Sequence, residues 1–171
     1  IMDSNADLAR IEGVYFSPSY WANSGLKNAP DQKWIFNCTF HNAIAFISER
    51  IDWTYMFDLA IDGYHTGMLF RFSTGSVGNG ASNGSLYNLD IYDCYYGIDI
   101  AYMNQIGLEI ANSRIYSSGS DYAAAIRAHS GLVSTLALMD CELGATGNHV
   151  IYSYKKDTLT LSNCTLSFIG N

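Results

Sequence analysis

The chain is short of the features that hold proteins in membranes, on polyanions or around metals. It contains no run of about 18 or more apolar residues and no basic-then-apolar leader, so the sequence offers nothing that spans a membrane or addresses the chain to one. Nine Lys and Arg face sixteen Asp and Glu, a net charge of −7. Nucleic acid, whose binding relies on clustered cations, is therefore not an expected partner. No Cys-x-x-Cys or paired-His spacing suggests zinc, and no run of alternating Asp suggests calcium. The stretch "STGSVGNGASNGS" at 73–85 lacks the Lys and the helix of a phosphate cradle. No metal or cofactor is expected. Only two prolines interrupt a chain that is 49% hydrophobic and 15% charged, a composition that can bury a sizeable core in one globular domain.

What the chain does have is a recurring phrase: "WIFNCTF", "LDIYDCYY", "LALMDCEL" and "TLTLSNCTLSF" each place Cys directly after Asn or Asp. The aligned copies give a template of apolar, any, apolar, any, Asn or Asp, small, any, apolar. Asn or Asp then falls at 37, 62, 93, 112, 140 and 163, in steps of 25, 31, 19, 28 and 23 residues. A period in the twenties with strand-like content is the mark of a stacked coil with loops of variable length. The expected fold is all-β, a right-handed parallel β-helix (solenoid) of about six coils over 31–171, preceded by an irregular, edge-covering segment at 1–30 that includes "SYW". The abrupt start at Ile1 and stop at "SFIGN" add the expectation of a fragment of a longer chain.

In such a coil Asn and Asp suit the tight corners, because they tolerate left-handed backbone better than other non-glycine residues. Cys38, Cys94, Cys141 and Cys164 would then form one internal stack of small hydrophobes, with only Cys141 and Cys164 adjacent enough for a disulfide.

A second alternating segment follows each corner: "IAFISER", "GMLFRFS", "GIDIAY", "AIRAHS" and "VIYSYKK". Alternation turns Ile44 and Phe46, Met68 and Phe70, Ile98 and Ile100, Ile126 and Ala128, and Ile151 and Ser153 inward. The outward residues then include Arg71, Asp99, Arg127, His129, Tyr152 and Tyr154, with Tyr102 and Lys155 at strand ends. Asp99, one strand spacing from Arg127, could be an ordinary cross-strand ion pair. It could equally serve as acid or base beside Arg127 and His129, which would bind or ionise an acidic group. Arg71, Tyr102, Tyr152, Tyr154 and Lys155 are the candidate substrate-binding residues. Glycoside hydrolysis asks for two carboxyls about 5 to 9.5 Å apart, and Glu49 lies two coils from Asp99.

The segments "NLDIYDCYYGIDI", "GLEIANSRIYSSG", "TLALMDCEL" and "TLTLSNCTLSF", with "SPSYWANSGL" and "IDWTYMFDLAIDGYHTGMLFRF", resemble the pectate-lyase-like superfamily of right-handed β-helices. The likeness is to bacterial proteins described broadly as pectate lyase superfamily or glycoside hydrolase family 55-like. The resemblance implies a secreted, extracellular protein that cleaves a polysaccharide or oligosaccharide by hydrolysis or elimination. The Asn-Thr-Asp, Asp-Asp and Gly-His-Gly signatures of polygalacturonase-type proteins are missing, so Asp99, Arg127 and His129 rest on the stacking argument. The rival expectation is a non-catalytic glycan-binding or structural β-helix, such as a tailspike, stalk or adhesin at a virion surface, where it would be a homotrimer.

Overall fold

The computed structural model describes residues 1–3, 5–75, 80–81, 83–104, 106–154 and 159–169. Along the chain run β1 (Asn5–Glu12), β2 (Tyr15–Phe16), α1 (Pro18–Ala22), α2 (Gln32–Asn42), β3 (Ile44–Ser48), β4 (Ile51–Asp62), β5 (Thr66–Phe70) and β6 (Asn83–Cys94). They are followed by β7 (Tyr96–Met103), β8 (Gly107–Ala111), β9 (Arg114–Ser117), β10 (Ala124–Leu132), β11 (Thr135–Met139), β12 (Glu142–Ala145), β13 (Ile151–Ser153), β14 (Leu159–Ser162) and β15 (Thr165–Phe168).

The expected six-coil solenoid is not what these residues build. The chain is mostly β, at 58%, and forms two sheets of parallel strands, one a curled half-barrel, in an arrangement nearer the α/β type. The ten-stranded sheet runs β14-β11-β8-β6-β9-β12-β15, with β4 joined to β6 and both β1 and β2 joined to β4. The five-stranded sheet runs β13-β10-β7-β5-β3.

Local chemistry explains the departure. The first copy of the repeat, Ile35 to Phe40, is helical: the Asp31 side chain caps α2 by accepting the Trp34 amide at 2.9 Å. Phe36 and Phe40, one turn apart, then stack at 6.0 Å on one side of that helix. Farther on, β4 and β6 are each twelve residues long and run as single strands. One half of β6 pairs with β8 and the other with β9, so a curl in one sheet replaces a break between two. The curl sits at left-handed residues: Asp58 and Asn88 at φ 55°, Asn112 at 48°, Asp140 at 52° and Asn163 at 50°. Strand register places these five side by side, and side-chain amides join Asn88 to Asp58 and Asn163 to Asp140 at 2.6 Å. Asp62 and Asp93, assigned to that row by the template, lie four or five residues beyond it.

The cysteines do not form one stack. The residues just after the curl are Leu59, Leu89, Ser113, Cys141 and Cys164, whereas Cys94 lies opposite Ser117 and Cys38 sits in α2. Ser113 Oγ accepts the Leu89 amide at 3.0 Å and donates to the Ala111 carbonyl at 2.8 Å. All four cysteines are free thiols.

The core lies between the sheets. Met56, Ile61, Ile91, Ile110, Ile115, Leu138 and Leu143 from the large sheet meet Met68, Ile98, Ile100 and Ile126 from the small one, all fully buried. Each such side chain contributes about 1.5–3 kcal/mol by leaving water. Where the sheets pinch together, Gly97 leaves no room for a Cβ, which would meet Ile115 Cγ2 at 2.4 Å. In the small sheet Phe46, Met68, Ile98, Ile126 and Ile151 share one register row. The expected alignment of Ile44 with Met68 is thus off by two residues, and Ile44 is exposed at the sheet's edge. At the other end, Ser153 is exposed rather than turned into the core.

The N-terminal residues are ordered by pairing: β1 follows β4 in parallel from Leu8 to Glu12. The "SYW" stretch lies within α1, which starts from the Ser17 cap and leaves Tyr20 and Trp21 largely exposed.

Candidate functional site

The outer face of the five-stranded sheet gathers the polar and aromatic side chains. Parallel register sets Asp99 of β7 beside Arg127 of β10, and Arg127 beside Tyr152 of β13. Alternation puts His129 and Tyr154 on the same face, two residues farther along. Arg127 donates through Nε to Asp99 Oδ1 at 3.1 Å and through Nη2 to Oδ2 at 2.5 Å, a two-pronged grip that fixes the guanidinium plane. Its Cζ lies 3.6 Å from the centre of the Tyr96 ring, so one face of the cation is covered by an aromatic. His129 Nε2 lies 2.9 Å from Asp99 Oδ1. Asp99 therefore holds both neighbours while its own side chain is only 7% exposed.

Burial opposes the charge on Arg127, but the Asp99 hydrogen bond and charge outweigh it and hold its pKa above the ordinary value. Burial also raises the Tyr96 hydroxyl against the lowering influence of Arg127. The cluster is a cation, a carboxylate and an imidazole in fixed contact.

Aromatic rings extend the cluster. Tyr154 stacks on His129 at 5.5 Å and 20°, and Tyr152 meets Tyr154 edge-on at 5.0 Å. The His149 ring lies 5.1 Å from Tyr152. Tyr96, Tyr122, Arg127, His149, Tyr152 and Tyr154 enclose a groove of about 300 Å³. His65 meets the Tyr96 ring edge-on at 5.5 Å and stacks on Tyr95 at 5.1 Å. Burial, followed by the Arg127 charge, lowers the His65 pKa below its ordinary value.

Asp99, Arg127, His129, Tyr152 and Tyr154 thus come together, while the other candidates stand elsewhere. Arg71 donates through Nε to Glu49 Oε1 at 2.7 Å and belongs to a separate ion pair. Tyr102 packs edge-on against Phe72 at 5.1 Å and lies so close to Gly80 that a Cβ there would meet its ring at 2.1 Å. Lys155 lies outside the described residues.

Three groove residues are not marked by the sequence pattern: Tyr96, Tyr122 and His149. Tyr96 fitted the repeat as an apolar position, and the other two fell in loops. Tyr122 and His149 each stand two residues ahead of a strand, β10 and β13, and that shared offset was the available signal.

Among the described residues, no group of three or more His, Cys, Asp or Glu is placed to hold a metal ion. Among the same residues, no helix is long and apolar enough to cross a membrane. Comparison with known proteins finds no matching family model, no matching curated protein and no matching solved structure, so the resemblance to pectate-lyase-like proteins gains no support from that side.

Proposed function

We propose that this groove binds a polysaccharide or oligosaccharide chain and that the protein is carbohydrate-active, with acidic sugars as the preferred substrate class. The observation that carries the reading is the set of tyrosines, Tyr96, Tyr122, Tyr152 and Tyr154, around a pinned Arg127 in a groove of about 300 Å³. Tyrosine offers a sugar ring a flat apolar face together with a hydroxyl for hydrogen bonding. Arg127 uses Nε and Nη2 on Asp99, which leaves Nη1 to meet a sugar carboxylate.

Of the two cleavage routes, elimination suits the residues better than hydrolysis. Among the described residues of this face, the carboxylates Asp99 and Glu49 are each gripped by an arginine. They stand two strands and two residues apart, about 12 Å between backbone positions at ordinary strand spacings. That exceeds the range in which two carboxyls share a glycosidic bond. In an elimination, Arg127 would offset the uronate charge and His129, held at Nε2 by Asp99, would take the C5 proton at Nδ1. The C4–O4 bond would break as the C4–C5 double bond forms, with a tyrosine hydroxyl supplying the proton to the leaving oxygen.

The test is breakdown of neutral and uronic-acid polymers, reading new reducing ends together with ultraviolet absorbance of unsaturated products, with Asp99→Asn alongside. Unsaturated ends from a uronic-acid polymer, lost in the variant, are expected. Reducing ends without unsaturation would replace elimination by hydrolysis. Binding without either product would leave the non-catalytic glycan-binding reading, and neither binding nor cleavage would overturn the proposal.

A further inference from the structure

The outer face of the ten-stranded sheet carries a second trough, on the other side of the molecule from Arg127. Alternation along β4 turns Trp53 and Tyr55 outward, and their rings lie parallel within 8° at a centroid separation of 6.4 Å. Trp53 is 41% exposed, so much of a large flat apolar surface faces water. Beside this wall the sheet is low, with the exposed Ile106 as the larger side chain at the trough's end. Register continues from Tyr55 through Ser85 and Glu109 to Ala137, so small side chains flank a single carboxylate. At the start of β8, Gly107 has φ +106° and a Cβ there would meet the Thr135 carbonyl oxygen at 2.0 Å, so no side chain rises at that point. The trough encloses about 230 Å³.

The lining chemistry selects the occupant. Trp53 supplies an apolar ring face, and across the floor stand the Glu109 carboxylate and the Thr135 hydroxyl, which donates to the Ile106 carbonyl at 2.8 Å and keeps its oxygen to accept. The Glu109 strand is two strand spacings from Trp53, about 10 Å, so a single six-membered sugar ring can lie on the indole and reach those groups. Among the described residues, no cation lines the trough. The nearby Arg10 is committed to Glu12 at 2.7 Å and sits over the Phe57 ring. A carboxylate without a cation accepts sugar hydroxyls and repels an acidic chain.

We propose that this trough is a second carbohydrate site, taking neutral hexopyranose polymers, and that the protein is bivalent, with an acidic-sugar groove on one sheet and a neutral-sugar platform on the other. Two linked sites on one scaffold raise retention on a mixed polymer well beyond either alone.

The probe is native gel electrophoresis with a neutral polymer cast into the gel, using hydroxyethyl cellulose, galactomannan and xyloglucan in parallel with polygalacturonate. At least one neutral polymer is expected to slow the protein. Trp53→Ala should weaken that retention tenfold or more while leaving retention by polygalacturonate unchanged. Ala137→Trp, which fills the floor from the exposed side, should do the same, and circular dichroism checks that both variants fold. Tyr152→Ala with Tyr154→Ala should spare the neutral lanes. Unchanged mobility of the wild type in every neutral gel, or neutral retention that survives Trp53→Ala, would overturn the proposal. So would neutral retention that disappears with the tyrosines, which would assign it to the groove. Because the lanes are scored separately, failure of the acidic-sugar reading does not decide this one.

Discussion

Glu49 with Arg71 and Asp99 with Arg127 are the same device, a carboxylate gripped by an arginine from the neighbouring strand of one sheet. Their surroundings differ. Glu49 is 1% exposed and also receives the Thr74 amide and hydroxyl at 3.0–3.2 Å, so its oxygens are spoken for by the protein. Asp99 is nearly as buried, yet its partner Arg127 faces a groove walled by tyrosines, and its partner His129 stacks on one of them, Tyr154. An ion pair is therefore poor evidence of function by itself. What separates the two is whether a cavity and stacking surfaces converge on the arginine's remaining edge.

The comparison can be tested by breaking each side in turn. Glu49→Ala strands Arg71 and two Thr74 donors, and removal of one partner from a buried pair costs on the order of 3 kcal/mol. Urea denaturation should show that loss, and a change below about 1 kcal/mol would mean that the pair is not structural. Asp99→Asn keeps the shape and a hydrogen-bonding oxygen, so the expected stability loss is smaller, about 1–2 kcal/mol. Its larger consequence is on acidic-sugar affinity, expected to fall about tenfold, by titration calorimetry, as Arg127 and His129 lose their common anchor. Equal and large stability losses at both sites would erase the distinction drawn here.

Smaller effects sharpen the picture of the groove. Tyr154 is 58% exposed, so Tyr154→Ala should leave the melting temperature nearly unchanged. It should cost about 0.5–1.5 kcal/mol of sugar affinity, the usual worth of a ring contact.

His65 adds a pH dependence. Its pKa is lowered in the fold, by burial first and by Arg127 next, so the unfolded chain takes up the proton more readily. Stability is then complete above the unfolded value of about 6.5 and declines as pH falls through the interval down to the folded value. Melting curves at pH 7.5 and pH 5 should show less acid destabilisation in His65→Phe than in the wild type, and equal slopes would remove His65 as the cause.

Thiol labelling probes the interior at the end of β6. Burial pushes Cys94 up to about 12, so it should react with a thiol reagent only on unfolding, well after the partly exposed Cys164. Labelling of Cys94 at the rate of Cys164 in the native protein would contradict its placement.

The outer face of the small sheet was readable because alternation has a period of two and the β7, β10 and β13 segments keep a common offset. Asp99, Arg127, His129, Tyr152 and Tyr154 follow from that alone. The overall fold was less legible. Asp58 and Asp62 both stand in "YMFDLAID", and left-handed backbone is equally tolerable at either, so the repeat settled on the later one and displaced the row. The copy at 35–40 fits the strand template, yet Asp31 caps a helix there. With that helix running to Asn42, β3 pairs two residues out of the expected alignment with its neighbour. Tyr122 and His149 reach the groove from loops, where neither period applies.

The most direct test of the central claim is calorimetric titration of an oligogalacturonate into the wild type and into the protein carrying Tyr152→Ala and Tyr154→Ala together. Saturable one-to-one binding at the groove that weakens tenfold or more in the double variant, with its melting temperature preserved, is the predicted result. No heat of binding in the wild type, or an affinity the double variant leaves unchanged, would contradict the account.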